Sequence, residues 1–231
     1  YKNQTNDGLL FEKNSVRRKE YAITSDAIRK FQNHYSKNHE ISAEDIFFYI
    51  YAILHCEDYR KRFSNNLLKE IARIPLVESF TDFVLLSNAG RELSYLHADF
   101  ENVDKFNISP KEGDLRLAHI EDPKSFFRVE KMKFAKKGDK SSVIYNKNIT
   151  IENIPLEAYE YVVNGKPALE WVMERQCVKT DKASGIVNDA NDYANETMNN
   201  PAYPLELFQR VITVSLETMK IVKSLPKLDI D

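Results

Sequence analysis

Nine residues, Ile46-Phe47-Phe48-Tyr49-Ile50-Tyr51-Ala52-Ile53-Leu54, follow one another with no polar side chain among them beyond two tyrosine hydroxyls. Ser42 precedes the run with Asp45 three residues on, the spacing at which a hydroxyl and a carboxylate satisfy each other's backbone amides at a helix start. The run falls far short of the roughly 18 uninterrupted apolar residues of a membrane span, so protein must cover it. A helix with no polar face is covered on nearly every side, which makes this one the expected central core element. The chain has the means to cover it. At 231 residues it suits one large domain or two small lobes, and 13 Phe, 12 Tyr and 1 Trp bring large buried area. Only 6 Gly are present, which disfavours a glycine-built nucleotide-binding sheet.

The covering elements follow from periodicity. Ala27, Ile28, Phe31 and Tyr35 share one face of a helix expected over 26–36, capped by Thr24 or Ser25. Shorter helices are expected over 58–63 and 67–71, stopped by Ile74-Pro75. A long one follows over 79–97, with Phe83, Leu86, Gly90 and Leu93 along a stripe. Short extended pieces are expected around 9–11 and 21–23. Residues 99–125, with Pro110, Gly113 and Pro123, form the expected lobe boundary. Strands are expected over 126–135 and 142–145, flanking a hairpin loop at Lys136-Lys137-Gly138-Asp139-Lys140, with a third at Ile149-Thr150-Ile151. Helices return at 156–163, 166–176 and 204–223, the last with a polar stripe at Glu206, Arg210, Thr213, Glu217, Lys220 and Ser224. The expected fold class is α+β, mostly helical with a small antiparallel β region in the middle of the chain. Residues 1–100 would form a mainly helical lobe, and 101–231 a β meander plus C-terminal helices.

The net charge of −2 does not by itself announce a nucleic-acid binder, but the charge is unevenly spread. Between residues 124 and 147 lie Lys124, Arg128, Lys131, Lys133, Lys136, Lys137, Lys140 and Lys147, opposed only by Glu130 and Asp139. Catalytic patterns are missing. The five histidines show no i, i+4 pair and the two cysteines, Cys56 and Cys177, no C-x-x-C spacing, so no metal site is expected. Neither a G-x-S-x-G elbow nor an S-x-x-K motif occurs, and Gly165-Lys166 lacks the upstream glycine of a phosphate loop. Asn200-Pro201-Ala202-Tyr203 looks like the loop with which amino-methyltransferases hold a flipped adenine. No glycine turn for S-adenosylmethionine precedes it, and Pro201 and Pro204 are better explained as framing a helix start. The absence of any cysteine pairing pattern suggests a reduced, cytoplasmic protein. The polar opening, residues 1–7, suggests a piece of a longer polypeptide.

The segment from Ile46 to Arg60 resembles the Tyr-x-Tyr-Ala-x-Leu-His-Ser-x-x-Tyr-Arg signature of the C-terminal specificity domain of type ISP restriction-modification enzymes, with Cys56 in place of the Ser. Arg73-Ile74-Pro75-Leu76, Gly90-Arg91-Glu92-Leu93, Leu169-Glu170-Trp171-Val172, Lys179-Thr180-Asp181-Lys182 and Ser184-Gly185-Ile186-Val187-Asn188-Asp189 are similar to further family segments. The resemblance implies a bacterial defence enzyme with nuclease, helicase-like ATPase and N6-adenine methyltransferase modules upstream. S-adenosylmethionine, ATP and Mg would belong to those modules, and this chain would hold no cofactor and no catalytic residue. Its partners would be double-stranded DNA and the upstream modules, with no membrane. Phosphates position such a reader and base edges specify it. The expected DNA contacts are Arg128, Lys131, Lys133, Lys136, Lys137, Lys140, Asn146 and Lys147, with Arg128 and Lys131 as guanine readers and Asn146 as an adenine reader. The competing reading is a scaffold that docks methyltransferase and motor domains without touching bases.

Overall fold

Ser42 opens the central helix as its spacing requires: its hydroxyl accepts from the Asp45 amide, and the Asp45 carboxylate accepts from the Ser42 amide at 3.0 Å. The computed structural model describes residues 22–35, 39–113, 115 and 119–229, so the extended pieces expected around 9–11 and at Tyr21 lie outside it. Among the described residues the chain runs through α1 (Ser25–Tyr35), α2 (Ala43–His55), α3 (Glu57–Arg62), α4 (Ser64–Leu67) and α5 (Phe80–Ala98). A mixed region follows: β1 (Ser109–Pro110), α6 (Pro123–Phe127), β2 (Lys133–Lys136), β3 (Asp139–Ile144) and β4 (Thr150–Glu152). Then come β5 (Val162–Val163), β6 (Lys166–Pro167), α7 (Ala168–Arg175), β7 (Val178–Thr180), β8 (Val187–Asp189), α8 (Ala190–Asp192) and α9 (Tyr203–Ser224). This is an α+β fold, mostly helical with small antiparallel sheets. No described helix is long and apolar enough to cross a membrane.

Two apolar clusters form. The first gathers Phe31, Tyr35, Ile46, Tyr49, Ala52, Ile53, Tyr59, Phe83 and Leu86 around α2. Three tyrosine hydroxyls tie the extended segment 73–77 across it: Tyr59 donates to the Arg73 carbonyl, Tyr49 to that of Pro75, and Tyr35 to that of Val77. Buried hydroxyls find partners because leaving one unpaired costs about 1–3 kcal/mol. The second cluster sits between the sheet, α7 and the first half of α9, with Val129, Val143, Tyr145, Ile151, Leu169, Phe208 and Ile212 at its centre. Helix α9 links the two. Its first half fills the second cluster, and Leu225, just past its end, packs on the first.

Several expectations need correction. Helix α2 is covered on one face, not all round: Phe47 is 46% exposed and Leu54 39%. The helix expected over 67–71 ends at Leu67, where α4 stops. Leu68 and Ile71 are both strongly exposed, so its apolar pattern meets nothing to bury against. Residues 123–127 form α6, started by Asp122 whose carboxylate accepts from the Ser125 amide, and the strand begins only at Lys133. The helix expected over 156–163 is one 3-10 turn, Leu156–Tyr159, followed by the β5–β6 hairpin. Its turn, Asn164-Gly165, has φ of 50° and 78°. Asn-Gly is the pair that tolerates two positive φ values and so closes a two-residue hairpin in preference to continuing a helix. Strand β1 falls inside the stretch expected to be loop and pairs with β4 at the sheet edge. The polar stripe of α9 behaves as expected, with its six positions outside the core.

Between the clusters lies a part-buried polar node. His97 on α5 has Nδ1 2.8 Å from the Tyr51 hydroxyl and Nε2 2.8 Å from Thr218 Oγ1 on α9, and its ring stacks on Tyr161 at 13°. A neutral imidazole fits, because one nitrogen then donates and the other accepts. Burial, reinforced by nearby His55, lowers the His97 pKa from 6.5 to about 4. Through that window the unfolded chain binds a proton that the folded chain refuses, so stability is complete at neutral pH and falls on acidification. From His97 we expect a loss of about 1 kcal/mol by pH of about 5.5, and more toward 4. Denaturant melts between pH of about 7.5 and 5.5 check this: His97→Gln should flatten the dependence, and an unaltered dependence would contradict it.

Candidate nucleic-acid interface

Strand β2 is one of the two edge strands of the four-stranded antiparallel sheet, whose order is β1-β4-β3-β2. The sequence from Lys131 alternates with the period of a strand. Met132 is buried and Phe134 packs on the core, while Lys131, Lys133, Ala135 and Lys136 are exposed. Register places Lys133 opposite Ile144 and Ile144 opposite Thr150, so these share the face turned away from the core. The hairpin turns through Lys137 and Gly138, whose φ of 83° lies where a side chain is strained.

The structure sorts the eight expected contacts into two groups. Lys131, Lys133, Lys136, Lys137 and Lys147 are exposed and make no ion pair among the described residues. Lys136 is near enough to Asp139 to help lower that carboxyl's pKa, behind the stronger effect of hydrogen bonds from Ser141. Arg128, Lys140 and Asn146 are committed elsewhere. Arg128 bridges Glu130 at 2.7 Å and Asp189 at 2.8 Å, and the Asp189 bond above all raises its pKa. Lys140 pairs with Glu170 at 2.7 Å and lies over the Tyr159 ring, fastening the hairpin to α7. Asn146 donates to the carbonyls of Phe126 and Arg128 and accepts from the amides of Asn148 and Ile149, which shapes the turn before β4. A base contact by Arg128 or Asn146 has to displace these bonds.

Other residues that organise the site stand outside the patterns singled out from the sequence. Asn191, almost wholly buried, donates through its side-chain amide to the Val129 carbonyl and to the Asp189 carboxylate, and its side-chain oxygen accepts from the Val129 amide. Together with Arg128 it roots the β7–β8 hairpin beside the start of β2. Asp189 caps the short helix α8 by accepting from the Asn191 amide, and an Asp two residues before an Asn is the clue the sequence offers. The Asn200–Tyr203 stretch is occupied by the helix start: the Asn200 side chain bonds Glu206 and the Ala202 amide, and the buried Tyr203 hydroxyl bonds Glu101. Among the described residues no group of three His, Cys, Asp or Glu side chains is arranged to hold a metal.

A family model for the type ISP C-terminal specificity domain matches residues 1–207. Three solved structures are similar. A nuclease-deletion mutant of the type ISP restriction-modification enzyme LlaGI, in complex with a DNA substrate mimic, is 43% identical over 83% of this chain, with a TM-score of 0.70. The ATP-dependent type ISP enzyme LlaBIII bound to DNA is 36% identical over 100% of the chain, with a TM-score of 0.77. A DrdV–DNA complex is 32% identical over 88%, with a TM-score of 0.70. The chain spans 14%, 14% and 20% of the lengths of those three chains. No curated protein sequence matches it. A match over nearly the whole chain settles the classification: this protein belongs to the type ISP C-terminal specificity domain family.

Proposed function

We propose that this chain is the DNA target-recognition module of a type ISP restriction-modification enzyme, and that the lysines along β2 and its turn lie against the phosphate backbone. The carrying observation is the row of charges left unpaired on an edge strand, while the neighbouring Arg128 and Lys140 are held in ion pairs. From Lys133 to Lys136 the strand covers about 10 Å, the axial length of about three base pairs at 3.4 Å each. The relatives that share the fold were solved with DNA or a DNA mimic. Of the three side chains expected to read bases, Lys131 keeps its charge free, and we assign it that role. The catalytic work, with S-adenosylmethionine, ATP and Mg, belongs in this proposal to other modules of the parent.

Lysines on an edge strand also keep it from pairing with another chain, and a scaffold would carry them for that reason alone. Such a scaffold would have the exposed Phe47 and Leu54, seven residues apart and so on one face of α2, to dock with. Salt dependence separates the two readings. Replacing Lys133, Lys136 and Lys137 with Ala should lower the slope of log K against log salt for duplex DNA by about 0.9 per lost phosphate contact. Fluorescence titration of a labelled random-sequence duplex over a range of salt measures it. An unchanged slope removes the β2 row from the interface.

A further inference from the structure

The β7–β8 hairpin and its tip are built like a projection. Every residue from Lys179 to Asn188 is exposed, including Ile186 at 60% and Val187 at 59%. A lone two-stranded hairpin is marginal in water, yet this one is braced at both ends. At the tip, Asp181 Oδ1 accepts from the amides of Ala183 and Ser184 and from the Ser184 hydroxyl, the Asp181 amide donates to the Ile186 carbonyl, and Gly185 takes a φ of 73°. At the root, the Val178 amide donates to the Glu130 carbonyl at 3.0 Å, and Asp189 is held by Arg128 and Asn191. The root residues Arg128 and Glu130 immediately precede Lys131, so the projection is fixed to the start of the lysine row.

A ribbon so braced holds its shape without a core of its own, and its two acids are used internally. Asp181 organises the tip and Asp189 the root, which leaves Lys179 and Lys182 as its outward charges. Neither lysine makes an ion pair among the described residues, although Lys179 lies close enough to Glu174 and Asp181 to lower their pKa values slightly, behind the hydrogen bonds those carboxylates receive. Two strands about 4.8 Å apart fit within a DNA groove about 12 Å wide, with the exposed Lys179 and Lys182 as the charges available to its phosphates.

We infer that the β7–β8 hairpin is a second DNA-contacting element, a sequence-independent phosphate clamp in which Lys179 and Lys182 hold the duplex against the β2 lysine row. The inference rests on the DNA-recognition reading above. It assigns the hairpin to positioning and leaves base discrimination to other residues.

The test uses this chain with a panel of duplexes of equal length and differing sequence. Lys179→Ala/Lys182→Ala should lower the salt slope by about 1.8, and weaken binding by the same factor for every duplex. Both side chains are exposed, so thermal melting should match that of the parent chain. If the slope holds while the Lys133/Lys136/Lys137 triple variant lowers it, DNA binding stands and the clamp is wrong. If neither variant moves the slope, the DNA-recognition reading falls with it. If the affinity order among duplexes changes, the hairpin reads bases, and sequence independence is overturned.

Discussion

Gly90→Ala should destabilise the fold by about 3 kcal/mol or more. In an ordinary helix interior the same change is stabilising by roughly 0.5–1 kcal/mol, because glycine gives up more backbone freedom on folding. Here geometry reverses the sign. A Cβ on Gly90 would lie 1.8 Å from the Phe48 carbonyl oxygen, 2.7 Å from its carbon and 3.1 Å from the Ala52 amide nitrogen. All three atoms belong to the backbone of α2, so no side-chain rotation relieves the overlap. The helices would have to part, and α2 carries Ile46, Tyr49, Ala52 and Ile53, each buried to 1% exposure or less, in the first cluster. Parting also strains the bonds from Ser87 to the Asp45 carbonyl and from Arg91 to the Asp45 carboxylate, which lie on the same seam. Urea denaturation measures the loss, with Asn88→Ala on the exposed side of α5 as the control. The control should move stability by no more than about 0.7 kcal/mol, and upward, since alanine is the better helix former. A Gly90→Ala protein as stable as the parent chain would show that the two helices do not approach this closely.

Much of this architecture was legible because local signals and packing agree. Ser42 and Asp45 mark a helix start that the fold uses unaltered, and the stripe of Phe83, Leu86, Gly90 and Leu93 is the buried face of α5. The family segments, uninformative about chemistry taken singly, prove to be packing devices: Tyr49 and Tyr59 hold the 73–77 strap, and Tyr51 joins the His97 node. What the sequence hid was tertiary. Nothing local distinguishes Phe47 from Phe48, yet one is exposed and the other lies beneath Arg91, whose guanidinium sits 4.3 Å from its ring.

The candidate interface shows the same division. The surplus of basic residues between 124 and 147 is plain in the sequence. Which of those charges are free is not, since the partners of Arg128 and Lys140 come from Asp189 and Glu170, distant in the chain. Asn146 has the side chain of an adenine reader, but a residue that bonds its own neighbours two and three positions on is also a turn builder. Here both polar atoms of its side chain are used in such bonds. Asn164-Gly165 was a stronger signal than the helical periodicity around it, and the turn chemistry won.

The second large effect concerns specificity. Placed in LlaGI in exchange for the matching segment, this chain should transfer its own target sequence and leave the enzyme's chemistry intact. Base-edge contacts and the reaction need different residues: the first are donors and acceptors aimed into a groove, worth about 1–3 kcal/mol for each well-made bidentate pair. The second is a flipped-base pocket, and the Asn200–Tyr203 stretch that resembles one is taken up by the start of α9. At 43% identity over 83% of this chain, the two segments should share a framework while differing at enough surface positions to read different sequences. Several altered contacts of that size correspond to orders of magnitude in preference, so the change should be complete, not graded. Genome-wide mapping of the sites modified by LlaGI and by the chimera is the direct measurement. A new modified sequence, produced at comparable efficiency, is what target recognition by this chain predicts; a catalytically active chimera that keeps the LlaGI sequence would contradict it.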